Sequence, residues 1–145
     1  MQPFLQGQQK GKITMHLFTE QQQQQLSFNG APENRDNDHT PVVRLFVANT
    51  SMVWLLNELD PERPSEAFGL CDLGMGFPEL GYLDLEGVSE VCSRNQFSLE
   101  RDLHFNGKYP MSVYAEAARQ QQRITTDERD LMLALQALCR PKPRP

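Results

Sequence analysis

The sequence predicts an α+β fold: an antiparallel sheet of about five strands with helices packed on one face. Three observations predict it. Apolar runs of strand length fill most of residues 42–105, and clusters of Gly, Pro, Asn and Asp bound them. The links between these runs are mostly of hairpin length. The stronger helical signatures lie toward the ends, before residue 30 and after residue 111. At 145 residues the chain has the length of one domain.

Residues 1–13 read as a flexible extension, 14–124 as the α+β domain, and 125–145 as a C-terminal helix with a basic, proline-rich tail. Thr19 opens the first helix, because Thr19 and Gln22 have the spacing of a capping box. The glutamines at 21–25 then fall on helix surface. Asn29-Gly30 ends the helix, and 31–40 is a polar loop. Residues 42–47 and 52–59 are two strands around a turn at 49–51. Pro61 and Pro64 forbid regular pairing in the next link. Residues 66–73 and 78–83 are the third and fourth strands. Gly74-Met-Gly76 joins them, where positive φ costs little.

Asp84 is placed to cap a short helix to about Cys92, and residues 99–105 form the fifth strand. Ser112 is expected to cap a helix over 113–122. Thr125 and Glu128 are expected to form a second capping box for a helix ending near Cys139. In that last helix Leu131, Ala134, Leu135 and Leu138 make one apolar stripe.

The net charge is −5 and it is uneven. From Glu58 to His104 stand eleven acidic and three basic residues, a local net of −8. Lysine is absent from residues 13 to 107. No direct nucleic-acid binding is expected, since phosphate contacts need Lys and Arg, and a P-loop is excluded. A cationic protein partner suits this balance, as does a plain solvated surface. No run approaches the about 20 apolar residues of a membrane helix, and no signal-peptide pattern opens the chain, so neither a membrane nor export is expected. The three cysteines, Cys71, Cys92 and Cys139, are widely spaced with no CxxC pair. They are expected to be free, reduced thiols in a cytoplasmic protein.

Strand alternation sorts the remaining candidates. In the fifth strand Glu100, Asp102 and His104 point one way; in the second, Trp54, Leu56, Glu58 and Asp60 share a face; in the third, Asp72 follows Phe68 and Leu70. Convergence of Glu58, Asp72, Glu100, Asp102 and His104 would make an oxygen-rich divalent-metal site for a hydrolase or nuclease, with His104 as ligand or base. Asp72, Glu79, Asp102 and His104 are the candidates for catalytic groups. The plainer reading is a solvated polar sheet face. It is favoured by the lack of any compact ligand motif such as HExxH. Without a metal no cofactor is expected. Phe68, Leu70, Cys71, Leu80 and Trp54 are expected in the core, which leaves Asp72 and Glu79 as the site candidates of the segment 69–85.

Several segments carry a family resemblance. They are Pro41-Val-Val-Arg-Leu-Phe46, Trp54-Leu-Leu-Asn-Glu-Leu-Asp-Pro61, Ala67-Phe-Gly-Leu-Cys-Asp-Leu-Gly-Met-Gly-Phe-Pro-Glu-Leu-Gly-Tyr82, Glu100-Arg-Asp-Leu-His-Phe105 and Ser112-Val-Tyr-Ala-Glu-Ala-Ala118. Together they resemble the bacterial family called domain of unknown function 2958, from about Thr14 to Ile124. The resemblance implies a setting, an accessory protein of plasmids and integrative elements. It implies no chemistry that transfers residue by residue. The expectation is therefore a non-enzymatic, acidic interaction module that modulates a host-defence or DNA-processing complex. Its partner would be a protein of the host or the element. The metal-dependent hydrolase is the alternative, and a dimer formed through the C-terminal helix is a third possibility.

Overall fold

The computed structural model describes residues 17–141. Along them come α1 (Glu20–Asn29), β1 (Val43–Val47), β2 (Val53–Leu59), β3 (Glu66–Asp72), β4 (Glu79–Asp84), α2 (Leu85–Arg94), β5 (Leu99–Arg101), α3 (Met111–Gln121) and α4 (Glu128–Cys139). The strands form one antiparallel sheet in the order β4-β3-β2-β1-β5. The fold is α+β, as the order of elements along the chain predicts. β1 to β4 pair with their sequence neighbours, the simplest connection, and β5 returns to the far side of β1. Residues 1–13 and the end of the basic tail lie outside the described residues.

Helices cover both faces, which corrects the expectation of one. The cause is β2, whose run Trp54-Leu-Leu is buried on both sides, as in any strand at the middle of a covered sheet. On one face Trp54, Leu56 and Leu59 pack with Val43, Leu45 and Val47, under Leu26 of α1 and Leu85 and Cys92 of α2. On the other, Leu55 and Leu70 pack under Met111, Tyr114, Ala117 and Ala118 of α3, with Leu131 and Ala134 of α4 behind. The C-terminal helix thus shares the core of the sheet domain. The far end of its stripe, at Leu138, is exposed.

The local signals at α1 hold. Gln22 N–H donates to Thr19 Oγ1 at 3.1 Å, and Thr19 N–H to Gln22 Oε1 at 2.9 Å, a complete capping box. Gly74 and Gly76 adopt φ of 80° and 87° in the β3–β4 turn. Three expectations fail for identifiable reasons. β5 stops at Arg101, because Asp102 turns the chain: its Oδ1 accepts from His104 N–H at 2.9 Å. Ser112 lies inside α3, and its N–H donates at 3.0 Å to Asp38, which arrives from the loop after α1. At α4 the cap is Asp127, accepting from Arg129 N–H, while Thr125 Oγ1 donates to Asp130 at 2.7 Å.

A bulge in β2 decides which way Glu58 points. Leu56 pairs with Gly69 and Glu58 with Phe68, so Asn57 is the extra residue. Asn29 Nδ2 donates to the Asn57 carbonyl at 2.9 Å and ties the end of α1 to the bulge. Past the bulge the alternation is reversed. Leu59 joins Trp54 and Leu56 on their face, and Glu58 turns to the face of Phe68.

Candidate functional site

The sheet sets out the sequence-derived candidates one by one. Asp72 ends β3 and is buried. Its Oδ1 accepts from Gly74 N–H at 2.8 Å and its Oδ2 from Ile124 N–H at 2.9 Å. Both oxygens are thus occupied in fastening the hairpin turn to the loop after α3. Asp102 accepts from Arg44 Nη1 at 3.2 Å, besides its bond to His104 N–H. Arg44 is in turn held 5.4 Å over the ring of Phe46. Glu100 lies exposed on edge strand β5, opposite Phe46, and His104 and Glu79 are also exposed.

The candidates do not converge. Three strand spacings separate β3 from β5, about 14 Å. Along β3, Asp72 lies four residues from the partner of Glu58, about 13 Å. Among the described residues, no three His, Cys, Asp or Glu side chains are placed to hold one metal ion. Cys71 is half-buried and Cys92 buried, and desolvation pushes both thiols above the ordinary range, away from a reactive thiolate.

A different part of the molecule is chemically distinctive. β4 is an edge strand, and its hairpin with β3 carries unburied apolar groups. Leu73, Met75 and Phe77 surround the turn, and Leu80 and Tyr82 follow on one face of β4. Phe77 is 79 % exposed, Met75 75 % and Tyr82 73 %. Large exposed apolar patches on a small domain mark contact sites. Leu80 lies outside the core because, among the described residues, no helix covers β4 on this face. Sequence alternation puts Leu80 and Tyr82 together, but only the strand order shows that they face water.

At the other end of the same hairpin lies a cleft of about 40 Å³, lined among others by Arg35, Glu58, Asp60, Glu66, Phe68 and Tyr82. The register places Glu58, Phe68 and Tyr82 in one row across β2, β3 and β4. Phe68 and Tyr82 meet edge to face, ring centres 5.2 Å apart. Glu58 is only 9 % exposed. Burial pushes its carboxyl above the ordinary 4.5, against the opposing charges of His39 and Arg35 and with a small addition from Asp36. Among the described residues its carboxylate has no hydrogen-bond or ion-pair partner. Sequence reasoning named Glu58 but missed Phe68 and Tyr82 beside it, since the bulge sets that company.

The described residues therefore form a single-sheet α+β domain, helices on both faces, with an apolar hairpin exposed at the sheet edge. The chain belongs to the family described as protein of unknown function (DUF2958), whose model matches residues 17–125. No match was found among curated proteins or among solved structures. No helix among the described residues is long and apolar enough to cross a membrane.

Proposed function

We propose that this protein is a non-enzymatic interaction module that docks a protein partner on the β3–β4 hairpin and the β4 edge. One observation carries the proposal: Leu73, Met75, Phe77, Leu80 and Tyr82 stand exposed on and beside β4, which among the described residues is an edge strand. An edge of this kind takes an added strand through main-chain hydrogen bonds, with alternate side chains giving specificity. Glu66, Glu79 and Asp84 stand on the same two paired strands. They favour a basic partner and oppose pairing with a second copy of this acidic chain. The family resemblance supports a mobile-element setting, in which a host-defence or DNA-processing protein supplies that basic surface in the cytoplasm.

The test compares affinity purification from host cells with the wild-type protein and with a Met75→Ser/Phe77→Ser variant. The reading expects a stoichiometric basic partner that the variant loses while keeping its melting temperature. Equal recovery by both proteins, or recovery of no stoichiometric partner, would count against it. Calorimetric titration with magnesium, manganese and zinc addresses the hydrolase alternative: saturable binding that is lost in Asp102→Asn would favour it.

A further inference from the structure

We infer that the cleft formed by Glu58, Phe68 and Tyr82 is a receptor for an arginine side chain of the docked partner, an inference that rests on the interaction reading above. The geometry contributes three features. The first is Glu58, nine-tenths buried and aimed into the cleft without a described partner. Its oxygens are not sealed from the cleft, where a cation or donors can complete them. The second is the ring pair of Phe68 and Tyr82 in the same cross-strand row, which offers an aromatic wall. The third is the next row, where Asp60 N–H donates to the Glu66 carbonyl and both side chains line the same cleft.

Carboxylates beside aromatic rings are the setting for an organic cation. A guanidinium suits it better than an ammonium, being planar, weakly hydrated and able to pair with a carboxylate through two parallel bonds. The volume of about 40 Å³ exceeds the about 10–15 Å³ that one water needs, so the cleft accepts a head group of several heavy atoms. A divalent cation fits poorly: Glu58, Asp60 and Glu66 all line the cleft, but among the described residues no three such side chains are placed to share one ion. The other carboxylates are already engaged in part: Asp60 accepts from Glu62 N–H at 2.9 Å, and Glu66 lies 4.0 Å from Arg63. Arg35 lines the cleft but is exposed and makes no ion pair with Glu58 among the described residues, so an incoming arginine can displace it.

Position along the sheet joins this cleft to the docking face. Tyr82 belongs to both, lying in the row of Glu58 and on the same face of β4 as Leu80. A strand added along β4 would bring every second side chain over this face. Glu58 is three strand spacings, about 14 Å, from such a strand, so the arginine comes from a part of the partner that lies over the Phe68 and Tyr82 face.

The experiment uses a short flexible peptide with one central arginine, its citrulline counterpart and its lysine counterpart. Each is titrated into the isotope-labelled protein and followed by amide shifts in NMR. The expected result is that the arginine peptide shifts Glu58, Phe68 and Tyr82 and binds about tenfold or more tightly than the citrulline peptide. Glu58→Gln, which keeps the side-chain shape, should erase that difference, and Tyr82→Leu should reduce it. Equal affinity for the arginine and citrulline peptides, or no shift of these three amides at millimolar peptide, overturns the inference. A lysine peptide that binds as tightly as the arginine peptide also overturns the choice of guanidinium. The Met75→Ser/Phe77→Ser variant leaves the cleft intact and should keep peptide discrimination. Loss of partner in that variant with no arginine preference would therefore retire the cleft and spare the docking hairpin; the converse result would do the opposite.

Discussion

Asp72 and Glu58 are both buried carboxylates, and their surroundings assign them opposite roles. Asp72 spends both oxygens on backbone N–H groups of Gly74 and Ile124. Asp72→Ala leaves those two donors without their acceptor, and charge-assisted bonds of this kind are worth about 1.5–3 kcal/mol each. The expected loss is about 3 kcal/mol, read as a lower urea midpoint at unchanged slope. Glu58 has no such support, and burial raises its carboxyl above 4.5. A carboxyl raised on folding binds its proton more tightly in the folded state. Its ionisation therefore subtracts stability, by nothing below the unfolded value and increasingly as pH rises through the raised folded value. Glu58→Gln should melt at the same temperature as wild type near pH 3 and at a higher one near pH 8. Melting curves across that range check it; a variant less stable than wild type at pH 8 would mean that Glu58 is held by contacts of net benefit. A residue that costs stability where it stands is commonly retained for function.

Among the elements, β3 explains itself through Gly69. A Cβ built there would sit 2.0 Å from the Leu55 carbonyl oxygen, so glycine is required for β2 and β3 to approach. Gly69→Ala is expected to cost about 3 kcal/mol, measured by chemical denaturation, since backbone rather than a flexible side chain blocks the methyl. A cost below about 1 kcal/mol would show that the strands relax apart. What the sequence makes legible at this scale is what is encoded locally. The α1 capping box joins residues three apart, and the β3–β4 turn is written in its own glycines. The cap of α3 was not legible, because Asp38 comes from 74 residues away. Nor was the face of Glu58, since nothing in Leu56-Asn-Glu58 announces a bulge, and one extra residue reverses every later side chain. The metal-site reading of Glu58, Asp72, Glu100, Asp102 and His104 relied on unbroken alternation, whereas β2 is bulged and β5 ends at Arg101.

For the whole molecule, charge and topology act together. Placing β4 at the edge leaves Leu80 and Tyr82 uncovered, while the neighbouring carboxylates discourage self-association of an acidic chain. The fold class was readable from the order of strands and helices. The exposed face was not, because exposure of β4 depends on strand order and on which strands the helices choose to cover. α3 and α4 settle on Leu55 and Leu70, leaving the next strand bare. This exposed hairpin is the proposed docking site for a partner. Its most direct test is a photo-crosslinking amino acid placed at Phe77 in cells that make the protein, with the same probe at exposed Gln120 on α3 as control. One discrete adduct with a basic protein is expected from position 77 and none from position 120. No discrete adduct from position 77, or the same adduct from both positions, would contradict it.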